Sequence, residues 1–161
     1  MSSGPQHIAL IGGTGFVGTH LIEWLVRRQR QVRVLTRRRE RCKALATLPG
    51  VSLHEGGAES LDALLAGQDA AVYLVGILHG SRQDFERAHI GLLQDVIAAC
   101  QRQGVRHIAL AGGVCLNLTL LDALCAQLAA AGLTPLLAIE LPPNDGGVSL
   151  GQAWVARHLG Q

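Results

Sequence analysis

His7-Ile8-Ala9-Leu10-Ile11-Gly12-Gly13-Thr14-Gly15-Phe16-Val17-Gly18 is the stretch that decides the fold. Its apolar run is too short for a helix and stops at glycine, after which helical periodicity begins. Strand, glycine turn and helix open a βαβ unit, and that context gives meaning to the spacing Gly12-x-x-Gly15-x-x-Gly18. Gly12 permits a tight turn, Gly15 lets backbone approach a pyrophosphate, and Gly18 lets the helix pack close to the sheet. The helix N-terminus adds its dipole and free N–H groups. Gly12, Thr14, Gly15, Phe16, Val17 and Gly18 are therefore candidate cofactor-binding residues.

The strand letters recur. His107-Ile108-Ala109-Leu110-Ala111-Gly112-Gly113 again runs from an apolar strand into glycine, but continues as Val114-Cys115-Leu116-Asn117. Between and beyond the two copies, strand-like runs fall at 7–12, 31–36, 51–54, 70–76, 107–111 and 134–141. Helical patterns fall at 16–29, 38–47, 59–66, 83–103, 117–131 and 149–159. Strands alternating with helices across short turns predict a parallel sheet covered on both faces. Right-handed crossovers make it a Rossmann-like, doubly wound α/β sheet of about six strands in three layers. With no internal linker, residues 1–161 read as one domain.

Composition narrows the function. At 161 residues with 48% hydrophobic and 16% charged content, the chain suits one folded domain with a real core. Its apolar runs are shorter than a membrane span and its start lacks a signal-peptide core, so a cytoplasmic protein off the membrane is expected. Met1-Ser2-Ser3-Gly4 reads as an unstructured leader. The four cysteines, 42, 100, 115 and 125, form no C-x-x-C pair and read as buried free thiols, with no metal site. Nine basic residues crowd between Arg27 and Lys43. They fall on a helix end, a strand edge and a loop without interleaved aromatics, so a solvated face with one phosphate contact is expected and nucleic acid is not.

Strand two ends Val34-Leu35-Thr36-Arg37-Arg38-Arg39. An NAD-selective site places an acidic residue here for the ribose hydroxyls. A guanidinium instead pairs with a 2′-phosphate. Arg37, then Arg38, are the candidates for that contact, which favours NADP(H) over NAD(H).

Residues 7–106 resemble an atypical short-chain dehydrogenase/reductase of the NmrA-like and complex I 39-kDa-subunit-like branch. The resemblance rests on Gly12–Gly18, on Val32-Arg33-Val34-Leu35-Thr36-Arg37, and on the run from Leu64 to His79. The helix from His89 to Gly104 with Val105-Arg106-His107 adds to it. It implies that Val75, Gly76 and Ile77 line the cofactor's adenosine and ribose, with His89 on a flanking helix. Active members carry a Ser after strand five and a Tyr-x-x-x-Lys pair, the tyrosine acting as general acid. Here the single tyrosine, Tyr73, lies in strand four, and the single lysine is Lys43. The resemblance therefore implies binding without hydride transfer and no catalytic residues.

Residues 108–157 resemble the C-terminal end of the hydrogenase maturation carbamoyltransferase family, HypF, of the Kae1-like ATP-binding group. The matching letters are Ala111 to Asn117, the Leu-rich helix to Gly132, and Leu141-Pro142-Pro143-Asn144-Asp145-Gly146-Gly147-Val148-Ser149-Leu150-Gly151-Gln152-Ala153. The resemblance implies that Gly112, Gly113 and Asn117 face a nucleotide and that Asp145 is a metal ligand. The family's His-x-x-x-His pair is absent, since the histidines stand at 7, 20, 54, 79, 89, 107 and 158. Carbamoyl transfer is not expected, and ATP is the less favoured ligand. Meeting around Arg106 to Leu110, the two resemblances read as an engineered chimera, with a natural gene fusion that truncates both parents as the alternative origin, in which a dinucleotide-binding half is followed by a grafted strand-helix-strand-helix. The alternatives are a fold-test protein that binds nothing and a residual ATP-binding carbamoyltransferase fragment. A homodimer is left open.

Overall fold

The computed structural model describes residues 4–75, 90–112, 115 and 118–138. Strand β1 (His7–Ile11) leads to helix α1 (Phe16–Arg27) and β2 (Gln31–Thr36). A 3-10 turn (Arg39–Cys42) runs into the short α2 (Lys43–Ala46), then β3 (Val51–Glu55). A second 3-10 turn (Ala58–Ser60), α3 (Leu61–Leu65) and β4 (Ala70–Tyr73) follow. Helix α4 (Leu92–Gln103), β5 (His107–Leu110), α5 (Leu118–Ala130) and β6 (Thr134–Leu136) complete the described elements. The six strands form one parallel sheet in the order β3-β2-β1-β4-β5-β6. This is the expected Rossmann-like arrangement, with its switch point between β1 and β4.

Several boundaries differ from the periodicity. The 38–47 helix is split, because its first turn winds as 3-10 and the chain must leave the α region before Leu48-Pro49. The 59–66 helix likewise begins as 3-10. β4 stops at Tyr73 rather than 76, because its neighbour β1 ends at Ile11 and turns away at Gly12; the Leu74 N–H still donates to the Ile11 carbonyl at 2.8 Å. Among the described residues β6 pairs over Thr134–Leu136, against His107–Ala109 of β5, and residues 139–141 of the strand expected over 134–141 lie outside them. The helix expected over 83–103 is described from Leu92, and that over 149–159 lies outside the described residues.

Alternation along the strands builds two cores. On one face, Ile8 and Leu10 pack with Val32, Val34, Leu53 and Ile22 and Leu25 of α1. On the other, Ala9, Ile11, Ala71 and Tyr73 pack with Ile108, Leu110 and apolar residues of α3, α4 and α5. Arg102 on α4 makes two 2.9 Å hydrogen bonds to Asp62 on α3, tying the helices of that second face together. This pairing holds the Asp62 carboxyl below the ordinary range. Gly104, in the left-handed region at φ 73°, ends α4, and the Val105 N–H closes back on the Cys100 carbonyl at 3.0 Å.

Candidate functional site

The carboxyl ends of the strands lie along one edge of the sheet, and the register brings the sequence candidates there. Ile11 aligns with Leu35 on one side and Tyr73 on the other. Gly12, Arg37 and Val75 therefore emerge from three adjacent strands.

Gly12 has φ 85°, in the left-handed region. A Cβ there would stand 2.9 Å from the Leu74 carbonyl carbon and 2.9 Å from the Val75 nitrogen, so the turn and the end of β4 fit only through glycine. This contact sets Val75 beside the glycine turn. Gly15 differs: among the described residues a Cβ would meet only the Gly12 carbonyl oxygen, at 3.9 Å, so no described atom crowds its backbone. The expected role of Gly15, close backbone approach by a ligand, fits that geometry. Gly18 is buried, and a Cβ on it would be driven into the Gly13 backbone. Its closest approach is to the Gly13 backbone, where the chain leaves β1. Gly13, not singled out by the spacing, is buried, and a Cβ on it would stand 3.0 Å from the Leu10 side chain and 3.1 Å from that of Val34. Burial of Gly13 is the feature that a motif of every third residue does not signal.

Helix α1 is capped by the Gly15 backbone with no side-chain hydrogen bond, and its first turn has no acidic residue. The first turn's N–H groups have no intrahelical acceptor, so the helix dipole and donors face outward. Phe16 and Val17 are exposed, and the Phe16 ring lies 4.5 Å from the His20 ring. Thr14 is exposed too. The first turn is braced from within by Thr19, whose N–H and hydroxyl reach the Gly15 carbonyl at 2.9 and 3.0 Å.

Arg37, Arg38 and Arg39 are all exposed at the end of β2. Among the described residues none of them has a carboxylate within salt-bridge distance. The Arg38 N–H donates to the Thr36 hydroxyl at 3.3 Å, which fixes the backbone where the arginines leave the sheet. The solvated basic face is present, with one addition: Arg28 stacks its guanidinium over Trp24, 3.7 Å from the ring centroid, so an aromatic does border the cluster. Gly76 and Ile77, the remaining lining candidates, lie outside the described residues, as do His89, Gly113, Asn117 and Asp145.

Tyr73 and Lys43 are not brought together. Tyr73 is buried in the α4–α5 core, where burial raises its phenol pKa. Lys43 is exposed at the start of α2, whose Leu45 packs into the opposite core. Of the cysteines, Cys100 and Cys115 are buried as expected, while Cys42 and Cys125 are only half-buried. Burial pushes the Cys100 thiol up to about 11. Among the described residues no cluster of ligating side chains could hold a metal ion. No helix among them is long and apolar enough to cross a membrane.

Fold and glycine turn together define a Rossmann-like protein whose glycine turn lies at the β1–β4 switch point. Residues 9–113, more than half of the chain, match the family model described as the 3-beta hydroxysteroid dehydrogenase/isomerase family, and the chain belongs to that family. Residues 78–152 match a second model, the Kae1-like domain of carbamoyltransferase, second subdomain. Its match begins at 78 rather than 108, so the two overlap over 78–113 instead of meeting at a point. A helix followed by a buried strand and a glycine turn satisfies both patterns.

Carbamoyltransferase HypF2 of Cupriavidus necator is 55% identical over 60 residues, 37% of this chain and 7% of that protein. HypF of Synechocystis is 42% identical over 64 residues, 40% of this chain and 8% of that protein. The chain thus spans less than a tenth of those relatives. Among solved structures, Pen from Bacillus thuringiensis superposes with TM-score 0.68 at 16% identity, covering 85% of this chain and 50% of that one. The negative transcriptional regulator NmrA, in complex with NADP, superposes at 0.67 and 18% identity over 84% of this chain and 45% of that one. MoeE5, with UDP-glucuronic acid and NAD, superposes at 0.64 and 19% identity over 81% of this chain and 53% of that one. These structures share the fold, and this chain spans about half of each.

Proposed function

We propose that this protein binds a nicotinamide dinucleotide, NADP(H) in preference to NAD(H), without transferring hydride. The observation that carries the reading is the glycine turn at the switch point. Among the described residues nothing crowds its backbone at Gly15, the first turn of its helix carries no acidic residue, and the exposed Arg37 and Arg38 leave the neighbouring strand. The pyrophosphate would sit on the N–H groups of the turn between Gly13 and Gly18, and a 2′-phosphate on Arg37, then Arg38. Val75, set against Gly12, would flank the adenosine. A bound dinucleotide supplies hydride chemistry at its nicotinamide. This chain sets Tyr73 and Lys43 on opposite faces of the sheet, so no tyrosine–lysine acid is assembled from them.

The same reading takes the chain as an engineered chimera, a dehydrogenase-like half carried into a HypF-like strand-helix-strand-helix. It works in the cytoplasm, binds a small molecule and not nucleic acid, and can pair with a second copy.

Calorimetric titration with NADPH, NADH and ATP, repeated on Arg37→Ala, tests it. Saturable NADPH binding is expected, weakened roughly tenfold or more by the substitution, the size of one hydrogen bond to a charged group. Absence of heat with every nucleotide, from a protein that melts cooperatively, overturns the binding reading. ATP competing with NADPH would favour the carbamoyltransferase remnant, and NADPH oxidation with a carbonyl substrate would overturn the non-catalytic part.

A further inference from the structure

The opposite edge of the sheet holds a second polar site. At the amino ends of β1, β2 and β3 lies a cleft of about 430 Å³ lined by His7, Gln31, Arg33, Ser52, Gln68 and the backbone around Gly50. That volume lies in the range of small-molecule sites. The register explains why its floor is polar. His7 aligns with Gln31, and Arg33 with Ser52, and in a parallel sheet aligned residues project from the same face. That face is the one bearing α3, a five-residue helix.

Arg33 is the central group. It is half-buried, and its Nη1 donates to the carbonyls of Ala63, Leu64 and Ala66 at 3.1, 3.4 and 2.7 Å. These anchor the guanidinium on the C-terminal end of α3. Nη2 and Nε have no hydrogen-bond acceptor among the described residues, and no carboxylate among them lies within salt-bridge distance. A partly desolvated guanidinium is thus held in place with its second edge unused. Its positive field is felt by its neighbours: burial first, then Arg33 and Arg39, lowers the pKa of His54 on the adjoining strand. Gln68 also lines the cleft while only 8% exposed, its Nε2 donating to the Ala66 carbonyl at 3.5 Å beside the Arg33 guanidinium. The amide of Gln31 and the hydroxyl of Ser52 add donors on either side of Arg33.

We propose that this cleft binds a small molecule carrying an oxyanion, a carboxylate or a phosphate. The oxyanion lies on the free edge of the Arg33 guanidinium, which presents parallel N–H donors to such a group, with Ser52 and Gln31 beside it. Two anion-binding edges would then stand at opposite ends of the same strands.

Backbone amide NMR of the full chain, titrated with inorganic phosphate and separately with acetate at matched ionic strength, tests the proposal. Saturable shifts are expected at Gly50, Ser52 and Gln68, and the tighter of the two titrants identifies the ligand's headgroup. Ser52→Asp places a carboxylate beside Arg33 and should weaken the response at least tenfold, and Gln31→Glu, if the first variant fails to fold, should do the same. Gly15→Asp, at the far edge, should leave it unchanged, so failure of the dinucleotide reading does not mimic failure of this one. Shifts confined to residues 12–18, shifts reproduced by sodium chloride, or a response indifferent to Ser52→Asp and Gln31→Glu would overturn it.

Discussion

β1 and β5 share the letters His-Ile-Ala-Leu, yet the sheet uses them in opposite senses. In β1, Ile8 and Leu10 face α1 and α2, and Ala9 faces the other core. In β5, Ile108 and Leu110 face α4 and α5. The register makes the flip explicit, because Ala71 of β4 aligns with Ala9 on one side and Ile108 on the other. A shift of one residue turns a strand's side chains over. The same tetrapeptide thus serves two cores, and its meaning comes from its neighbours. The turns after the strands diverge as well. Gly12 is clamped against Leu74 and Val75, whereas Gly112, at φ 111°, has no atom of the described residues within 4 Å of where a Cβ would stand.

The comparison is most strongly exposed to truncation of the two isoleucines. Ile8→Ala and Ile108→Ala should each cost about 2–5 kcal/mol in chemical denaturation. Because they fill different cores, the double variant should be additive within about 0.5 kcal/mol. A coupling well above that would mean the two strands share a face after all.

Next in size is Gly18→Ala. Driving a methyl into the Gly13 backbone should cost about 3 kcal/mol and abolish any dinucleotide binding with it. No glycine at the β5 turn is expected to show that coupling.

The two turn glycines should separate further. Gly12→Ala meets both positive φ and backbone atoms at 2.9 Å, and should cost about 2–3 kcal/mol. Gly112→Ala meets positive φ alone, and should cost about 1 kcal/mol. Equal losses in thermal melts would show that the contact with β4 contributes nothing.

The smallest effect concerns how β1 begins. The Asp69 carboxylate accepts the N–H groups of Gln6 and His7 at 2.7 and 2.8 Å. Those bonds lower its pKa, His7 first among the causes. A lowered folded value means stability that is present above the unfolded pKa of about 3.9 and lost as pH falls through the folded one. Asp69→Asn should therefore lower the melting temperature slightly at neutral pH, with the difference from the parent closing as pH falls below about 4. β5 has no such carboxylate at its start among the described residues, so no variant there should show that profile.

Much of this was legible in the letters. Apolar runs of strand length, glycines at their ends and helical spacing between them suffice for a parallel α/β sheet, and all six strands lie where the periodicity put them. Gly12 and Gly18 were legible as a tight turn because backbone atoms leave no room for a Cβ at either, whereas at Gly15 no described atom forbids one. The split helices at 39–46 and 58–65 were not, since 3-10 and α turns differ by hydrogen bonding rather than by composition. The amino-edge cleft was not legible either. Arg33 reads as an ordinary charge in a basic stretch until β1 and β3 flank it and α3 offers its carbonyls.

By itself, the sequence determined what depends on neighbours along the chain: strand and helix type, the glycine turn, the arginines at the end of β2 and the two family patterns. The tertiary structure alone decided what depends on pairing across it. It chose which face each His-Ile-Ala-Leu buries, set Val75 against Gly12, parted Tyr73 from Lys43, and anchored one edge of Arg33 on the carbonyls of α3. Side chains alternate along any strand, but only register says which side of the sheet is which.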